Sequence, residues 1–395
     1  MTGQMRAAFS AVTAVVLLAG AGRPGPAAAM DPEIETAAEQ GARELYDLDF
    51  DRARQTFVAL RAARPDHPAG PALLATAMWW QARYWYKTPS ESESTIIADY
   101  LEEAIRLSRS LAGNPATECE GNFFLGGSLG VKAHWQLLRG KWASAAMGAR
   151  EAVLVLRPLI TCTPYGEEAY FGLGLYAYAA SKLPWSLRWL SRFIVGRSDR
   201  QEALNMLERA AGRARWMRTD SQGTLALLYT VFDPAPHRAL IYATMMVRER
   251  PSSPLAHSLY AQALAFSGRW PEALEETARD LEIAKTPGST FGHEAAAFHY
   301  YRGIAFMGLH RLPEALEALT IAVTTDSRAP WIAAVHLKRG NARDLAGDRK
   351  GACEDYQAVL KLPDPWHAHK RAKNHLKHAF TWDEFAKEVS PRGGS

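Results

Sequence analysis

The 395-residue sequence has few cysteines, little net charge and no long apolar run beyond its N-terminus. Only Cys119, Cys162 and Cys353 are present, and their spacing matches no zinc or CxxC motif. The formal net charge is +4, which lacks the strong basic excess typical of proteins that bind duplex nucleic acid. We therefore expect no metal ion, no cofactor and no nucleic-acid partner.

The first 29 residues have the order of features found in a secretory signal peptide. Arg6 precedes an apolar run from Ala7 to Gly20, and three small residues, 27–29, follow a stretch of Gly and Pro. The run is shorter than the roughly 20 residues needed to span a bilayer. We predict cleavage after Ala29 and export of the mature chain, periplasmic or secreted; an uncleaved anchor is the alternative. An oxidising compartment would permit a Cys119–Cys162 disulfide.

One pattern of small and aromatic residues recurs along the sequence, with its main alanines 34 to 42 residues apart. Small residues such as Gly303 are expected where two helices cross closely, because a larger side chain would force the backbones apart. Glycines are expected where the first helix of each unit ends, since a left-handed residue lets the chain turn back. These glycines are Gly140, Gly268 and Gly347, and the recurring alanines are Ala203, Ala239, Ala273, Ala315 and Ala352.

This pattern resembles the tetratricopeptide repeat family over most of residues 37–364. The resemblance implies an all-α fold of helix-turn-helix units stacked into a right-handed α-solenoid, whose concave face binds peptides or protein segments. We expect residues 30–364 to form this domain, with an insertion near 182–197, and residues 365–395 to form a C-terminal capping helix and a short tail. Thr381-x-x-Glu384 is a capping box, which marks a helix start. The middle region also resembles the tetratricopeptide-repeat-39 type proteins.

The predicted function is a non-catalytic scaffold or adaptor of the cell envelope that binds a partner segment in the concave groove. Repeat geometry assigns to this groove the first-helix residues that lie away from the packing positions. Lys338 and Asn341 are three residues apart, so they are expected to grip a carboxylate or the backbone amides of a peptide. The candidate partner-binding residues are Gln262, Phe266, Tyr300, Met307, Lys338, Asn341 and Asp344.

The insertion supplies an alternative function, that of a peripheral membrane or lipid-associated repeat protein. Its tryptophans and arginines interleave near helical spacing, which is the composition of a helix lying in a membrane interface. The same stripe is also consistent with packing across neighbouring repeats. The candidate membrane-contact residues are Trp185, Arg188, Trp189, Arg192 and Phe193.

Two short motifs bear on catalysis and metal binding. Ser128 stands in a G-x-S-x-G sequence, the nucleophile elbow of serine hydrolases, but no alternation of strands and helices surrounds it. Glycine-mediated helix packing is therefore the favoured interpretation, and a serine hydrolase is an alternative. His375 and His378 can share a helix face near His367, yet the surrounding lysines and arginines favour a solvated helix over a zinc site.

Overall fold

The computed structural model describes residues 30–85, 89–183, 199–325, 331–363 and 368–389. Within these ranges the regular elements are helices, and no strand occurs. The chain divides into two compact units by its contacts. The N-terminal unit contains described residues 30–45 and 49–224, and the C-terminal unit contains residues 46–48 and the described residues from 225 onward.

Most described helices of the N-terminal unit pack on the next described helix in sequence. α9 contains the boundary at residues 224 and 225 and continues into a π-helical turn, Leu228–Phe232. The helices are α1 (Pro32–Tyr46), α2 (Phe50–Ala63), α3 (Ala69–Tyr84), α4 (Glu91–Ala112), α5 (Glu118–Leu138), α6 (Trp142–Leu159), α7 (Gly166–Ser181), α8 (Arg200–Arg213) and α9 (Arg218–Leu227).

The C-terminal unit has three clear helix pairs in succession, α11/α12, α13/α14 and α15/α16, followed by two short helices. A 3₁₀ turn, Thr290–Glu294, leads into α13. The helices are α10 (Pro236–Glu249), α11 (Pro254–Phe266), α12 (Trp270–Ala284), α13 (Ala295–Gly308), α14 (Leu312–Thr325), α15 (Ile332–Leu345), α16 (Arg349–Lys361), α17 (Ala368–Lys377) and α18 (Trp382–Val389).

A residue with left-handed backbone conformation ends the first helix in five helix pairs, and it always stands five residues before a buried alanine of the second helix. These pairs are α1/α2, α5/α6, α11/α12, α13/α14 and α15/α16. The prediction for the three glycines is confirmed. Two further pairs use a residue other than glycine at the same position, which is a strained choice for an L-residue. The five residues are Leu48 (φ 61°), Gly140 (φ 74°), Gly268 (φ 78°), His310 (φ 57°) and Gly347 (φ 83°).

Close helix crossings repeat with the same regularity. A Cβ atom added to Gly303 would lie 2.6 Å from Leu319 Cγ, and one added to Gly340 would lie 2.6 Å from Tyr356 Cε1. In both pairs the glycine precedes its neighbour by 16 residues. The prediction that small residues stand where helices cross is therefore confirmed at these positions, and the pairs follow one steric rule.

A disulfide joins Cys119, in the first turn of α5, to Cys162, in the turn after α6, with their Cα atoms 5.9 Å apart. The bond ties together both ends of the α5/α6 pair within the N-terminal unit. Cys353 is a free thiol on α16 and is only partly buried.

Candidate functional site

The candidate site is the surface of the C-terminal unit on which helix α18 lies, hereafter the α18 face. We expected one C-terminal capping helix, but the structure has two, α17 and α18. The side chain of Thr381 accepts the backbone N–H of Glu384 at 3.3 Å, and the Glu384 carboxylate accepts that of Thr381 at 3.0 Å, so the predicted capping box is present. One side of α18 is buried: Phe385 is 4% exposed and Val389 is 7% exposed.

Each of the three helix pairs of the C-terminal unit supplies a residue that contacts α18. Phe385 lies 6.4 Å from Trp270, centroid to centroid, at the start of α12. The Trp382 ring lies 4.2 Å from the ring of His310, the residue that takes the left-handed position at the end of α13. Phe380, Phe385 and Val389 join one apolar cluster with residues of α11, α12, α13, α14 and α15. The α18 face therefore already holds an amphipathic helical segment, supplied by the chain itself.

Lys338 forms the charged anchor of the α18 face. Its side chain is almost fully buried on α15 and forms an ion pair with Glu388 of α18, which also pairs with Arg371 of α17. Burial lowers the pKa of Lys338 well below its ordinary value, and the positive charge of Arg371 lowers it further. The ammonium form of Lys338 therefore depends on an acidic partner at this position, because an unpaired buried charge is strongly destabilising.

Asp344 fastens the segment that leads into α18. Its carboxylate accepts the backbone N–H of Phe380 at 2.8 Å and the hydroxyl of Tyr356 at 2.8 Å, and it pairs with Arg349 at 3.0 Å. Asn341 lies beside it, with Oδ1 3.1 Å from the same hydroxyl. Both side chains are buried and contact other residues of the chain, so neither lies on an exposed groove surface as expected.

The other predicted groove residues lie deeper than expected. Met307 is fully buried and Tyr300 is 8% exposed, because α13 is packed by α14, α12 and α11 and little of its surface remains free. Gln262 and Phe266 on α11 are only half-buried, and Phe266 packs against the cluster that contains Phe385. The predicted exposure of Tyr300 and Met307 is therefore wrong, and Lys338 and Asn341 are buried as well.

Ser128 lies in the middle of α5 and is 1% exposed. A nucleophile elbow needs a strand that enters a sharp turn, and helix runs from residue 118 to residue 138 here. A Cβ atom on Gly126 would lie 2.5 Å from Leu156 Cδ2, so this glycine permits close packing of α6 on α5. The hydrolase alternative is wrong for this serine, and the packing interpretation of the motif is confirmed.

The remaining sequence candidates lie elsewhere. The stripe of Trp185, Arg188, Trp189, Arg192 and Phe193 falls outside the described residues, as does His367. His375 is buried between the rings of Tyr356 and Phe380, whereas His378 is exposed. Among the helices that the structure describes, none has both the length and the apolar character needed to cross a membrane.

Comparison with known proteins yields no match to a family model and none to a curated protein. One similar solved structure is the anaphase-promoting-complex hetero-tetramer Cut9-Hcn1, with 14% identity and a TM-score of 0.31; the match covers 91% of this chain and 72% of that chain. Another is the tetratricopeptide repeat domain of P58(IPK), with 15% identity and a TM-score of 0.23, covering 87% and 98%.

TM-scores as low as these support no argument about either fold or function. The fold assignment therefore rests on the structure of this chain alone. The resemblance of the middle region to the tetratricopeptide-repeat-39 type stays a prediction. Successive helix pairs with a shared left-handed residue and a shared close crossing make the described chain a tetratricopeptide-like, all-α helical repeat.

Proposed function

We propose that this protein is an exported, non-catalytic scaffold that binds an amphipathic segment of a partner protein on the α18 face. The observation that carries the proposal is the seating of α18, an eight-residue helix with an apolar side and an acidic residue, on this face. A surface that holds one such helix has the pockets and the charge to hold another of the same character. The partner segment takes the place of α18.

The chemistry of the α18 face defines the partner segment. Trp270 and His310 present aromatic rings to two apolar side chains spaced three residues apart on a helix, as Trp382 and Phe385 are. Lys338 requires a carboxylate three residues beyond the second of them, where α18 has Glu388. We therefore infer a helical segment with an aromatic-x-x-aromatic-x-x-acidic pattern, in which buried aromatic residues supply most of the binding energy.

Competition with α18 sets the strength of partner binding. Because α18 is joined to α17 by a short connection, its effective concentration at the face is in the millimolar range or above. A partner segment must outcompete this tethered helix, so the intact protein binds it more weakly than a protein whose α18 has been released. The scaffold thus has a low resting affinity that rises when α18 leaves.

Two observations support export to an oxidising compartment. The first 29 residues have the features of a cleavable signal peptide, and the Cys119–Cys162 disulfide is of a kind that persists outside reducing compartments. The membrane-associated alternative depends on residues 182–197, and no feature of the described residues favours it.

A photo-cross-linking residue tests the proposal in cells. Benzoylphenylalanine at position 266, which replaces one aromatic residue on the α18 face with another, is expected to form an adduct with a partner protein. The adduct should increase several-fold when Phe385→Ala releases α18 and should disappear with Lys338→Met. The same cross-linker at Ile321, an exposed apolar position on α14, is the matched control.

Adducts that form equally from position 321, or that do not respond to Phe385→Ala and Lys338→Met, would contradict partner binding on this face. Cross-linking only to residues 382–389 in every variant would mean that α18 is a permanent part of the fold.

A further inference from the structure

Three acid and imidazole side chains meet inside the α11/α12 pair, away from the α18 face. His257 of α11 lies with Nδ1 2.7 Å from Glu276 Oε1 and 3.2 Å from Asp280 Oδ1. Glu276 and Asp280 are one turn apart on α12, and one ligand atom of each of the three residues lies within 4.8 Å of the others. All three side chains are buried, Asp280 completely.

The ring of His257 is fixed in the orientation that a metal ligand requires. Its Nε2 lies 3.0 Å from the carbonyl oxygen of Pro251, which can only accept a hydrogen bond, so Nε2 carries a proton. Nδ1 therefore faces the two carboxylates as the variable atom, with either a proton or a lone pair. A backbone carbonyl that orients a histidine through its second nitrogen is a common outer-shell feature of metal sites.

Asp280 is a completely buried carboxylate whose oxygen atoms are incompletely satisfied. No donor forms a well-aligned hydrogen bond with either carboxylate oxygen; His257 Nδ1 lies 3.2 Å and Arg279 Nε 4.0 Å from Oδ1, and the side chain is completely buried. The Nδ1 atom of His257 offers at most one proton, and Glu276 is the nearer acceptor. Burial raises the pKa of Asp280. A buried carboxylate without a donor is costly unless a cation is present.

The repeat supplies an internal comparison. His257, His299 and His336 each stand 16 residues before the main alanine of their pair. The α13/α14 pair has alanines, residues 318 and 322, where α12 has its two carboxylates. The α15/α16 pair has a single carboxylate, Asp355, which Arg339 and Arg343 neutralise at 2.7 and 2.8 Å. Among these three pairs, only α11/α12 combines the histidine with two carboxylates.

We propose that His257, Glu276 and Asp280 bind one divalent transition-metal ion of the zinc or manganese class. One imidazole nitrogen and two carboxylate oxygens suit these ions, whereas Mg²⁺ and Ca²⁺ prefer oxygen ligands alone. Ligand atoms around a tetrahedral ion with bonds of about 2.05 Å lie about 3.3 Å apart. The Nδ1–Asp280 distance already fits this value, and the Nδ1–Glu276 distance needs to widen by about 0.6 Å.

A proton and Arg279 compete with the metal ion for these ligands. Any proton on Nδ1 of His257 must leave before this atom can bind a metal ion, because a histidine ligand is neutral. Arg279 forms an ion pair with Glu276, and its side chain is 54% exposed, so it can swing into solvent when the metal ion enters.

Titration calorimetry of the full-length protein, prepared without a histidine tag, tests the site with Zn²⁺ and Mn²⁺ as probes and Mg²⁺ as the control ion. We expect one Zn²⁺ ion per chain that is lost with Asp280→Asn, with an affinity reduced at least about 100-fold. Arg279→Gln should tighten binding several-fold, because it removes a competing cation without altering a ligand.

His336→Gln is the matched control, since it changes a histidine at the same repeat position and should leave this Zn²⁺ affinity unchanged. Circular dichroism shows whether Asp280→Asn is folded, and Arg279→Gln remains informative if it is not. Zn²⁺ binding that is unaffected by both variants, or no binding tighter than about 100 μM at pH 7.5, would overturn the proposal and leave an imidazolium ion pair at this position.

Discussion

Replacing Glu168 with alanine is expected to destabilise the protein by about 3–5 kcal/mol, since three backbone donors, two of them buried, lose their acceptor. The Glu168 carboxylate on α7 accepts the N–H groups of Arg215, Trp216 and Met217 at 2.6, 3.0 and 2.8 Å. These bonds hold the segment before α9, where the Trp216 ring stacks on Tyr165 at 5.1 Å. Urea unfolding followed by circular dichroism measures the change.

The neighbouring Glu167 is the control for this prediction. It lies on the surface and pairs with Arg209, so Glu167→Ala should cost less than about 1 kcal/mol. A Glu168→Ala protein as stable as Glu167→Ala would show that the three backbone N–H groups find other acceptors, and would contradict the role assigned to this carboxylate.

The same carboxyl group should make stability depend on pH. Burial raises the pKa of Glu168 from 4.5 to about 7, although the three backbone hydrogen bonds act to lower it. A raised pKa means that the folded state binds the proton more tightly than the unfolded state. The contribution of this group is therefore complete below pH 4.5 and decreases as the pH rises to about 7, and Glu168→Gln should remove that decrease.

Loss of the Cys119–Cys162 disulfide is expected to cost about 4 kcal/mol, because the bond closes a loop with a sequence separation of 43 residues and restricts the unfolded chain. The double variant Cys119→Ser, Cys162→Ser and the wild-type protein in reductant should show the same loss in urea unfolding. Cys353→Ser, which removes the partly buried free thiol, should change stability by less than about 0.5 kcal/mol.

Reductant should have no further effect on the double variant. A double variant as stable as the oxidised wild type would mean that the α5/α6 pair is ordered without its covalent link, and would remove the disulfide as support for an oxidising compartment.

The repeat was predictable from sequence because its rules are local and steric. Gly268 and Gly347 take a positive φ, which glycine adopts without strain, and Gly303 must be small for two helices to cross, so spacing alone revealed them. His310 occupies the same left-handed position, 42 residues after Gly268, and alignment on Ala315 would have found it. The same alignment would have revealed that His257, His299 and His336 share one position.

The covering of the α18 face was not predictable in this way. Helical periodicity shows which side of a helix is apolar, but it does not show which distant segment covers that side. Lys338 was therefore assigned to an outside partner, whereas its acidic partner, Glu388, lies 50 residues further along the same chain. Met307 was misplaced for a related reason, because a helix that is packed by several neighbours buries positions that a simple pair would leave exposed.

Fluorescence anisotropy of a labelled peptide with the sequence of residues 378–389 tests most directly whether the α18 face binds a segment in trans. The acceptor is the full-length chain with Trp382→Ala and Phe385→Ala, which releases α18. We predict saturable binding that is at least about tenfold tighter than to the wild-type protein and that weakens at least about tenfold when Lys338→Met is added. Equal binding to the released and wild-type proteins, or binding that is indifferent to Lys338→Met, would contradict the account.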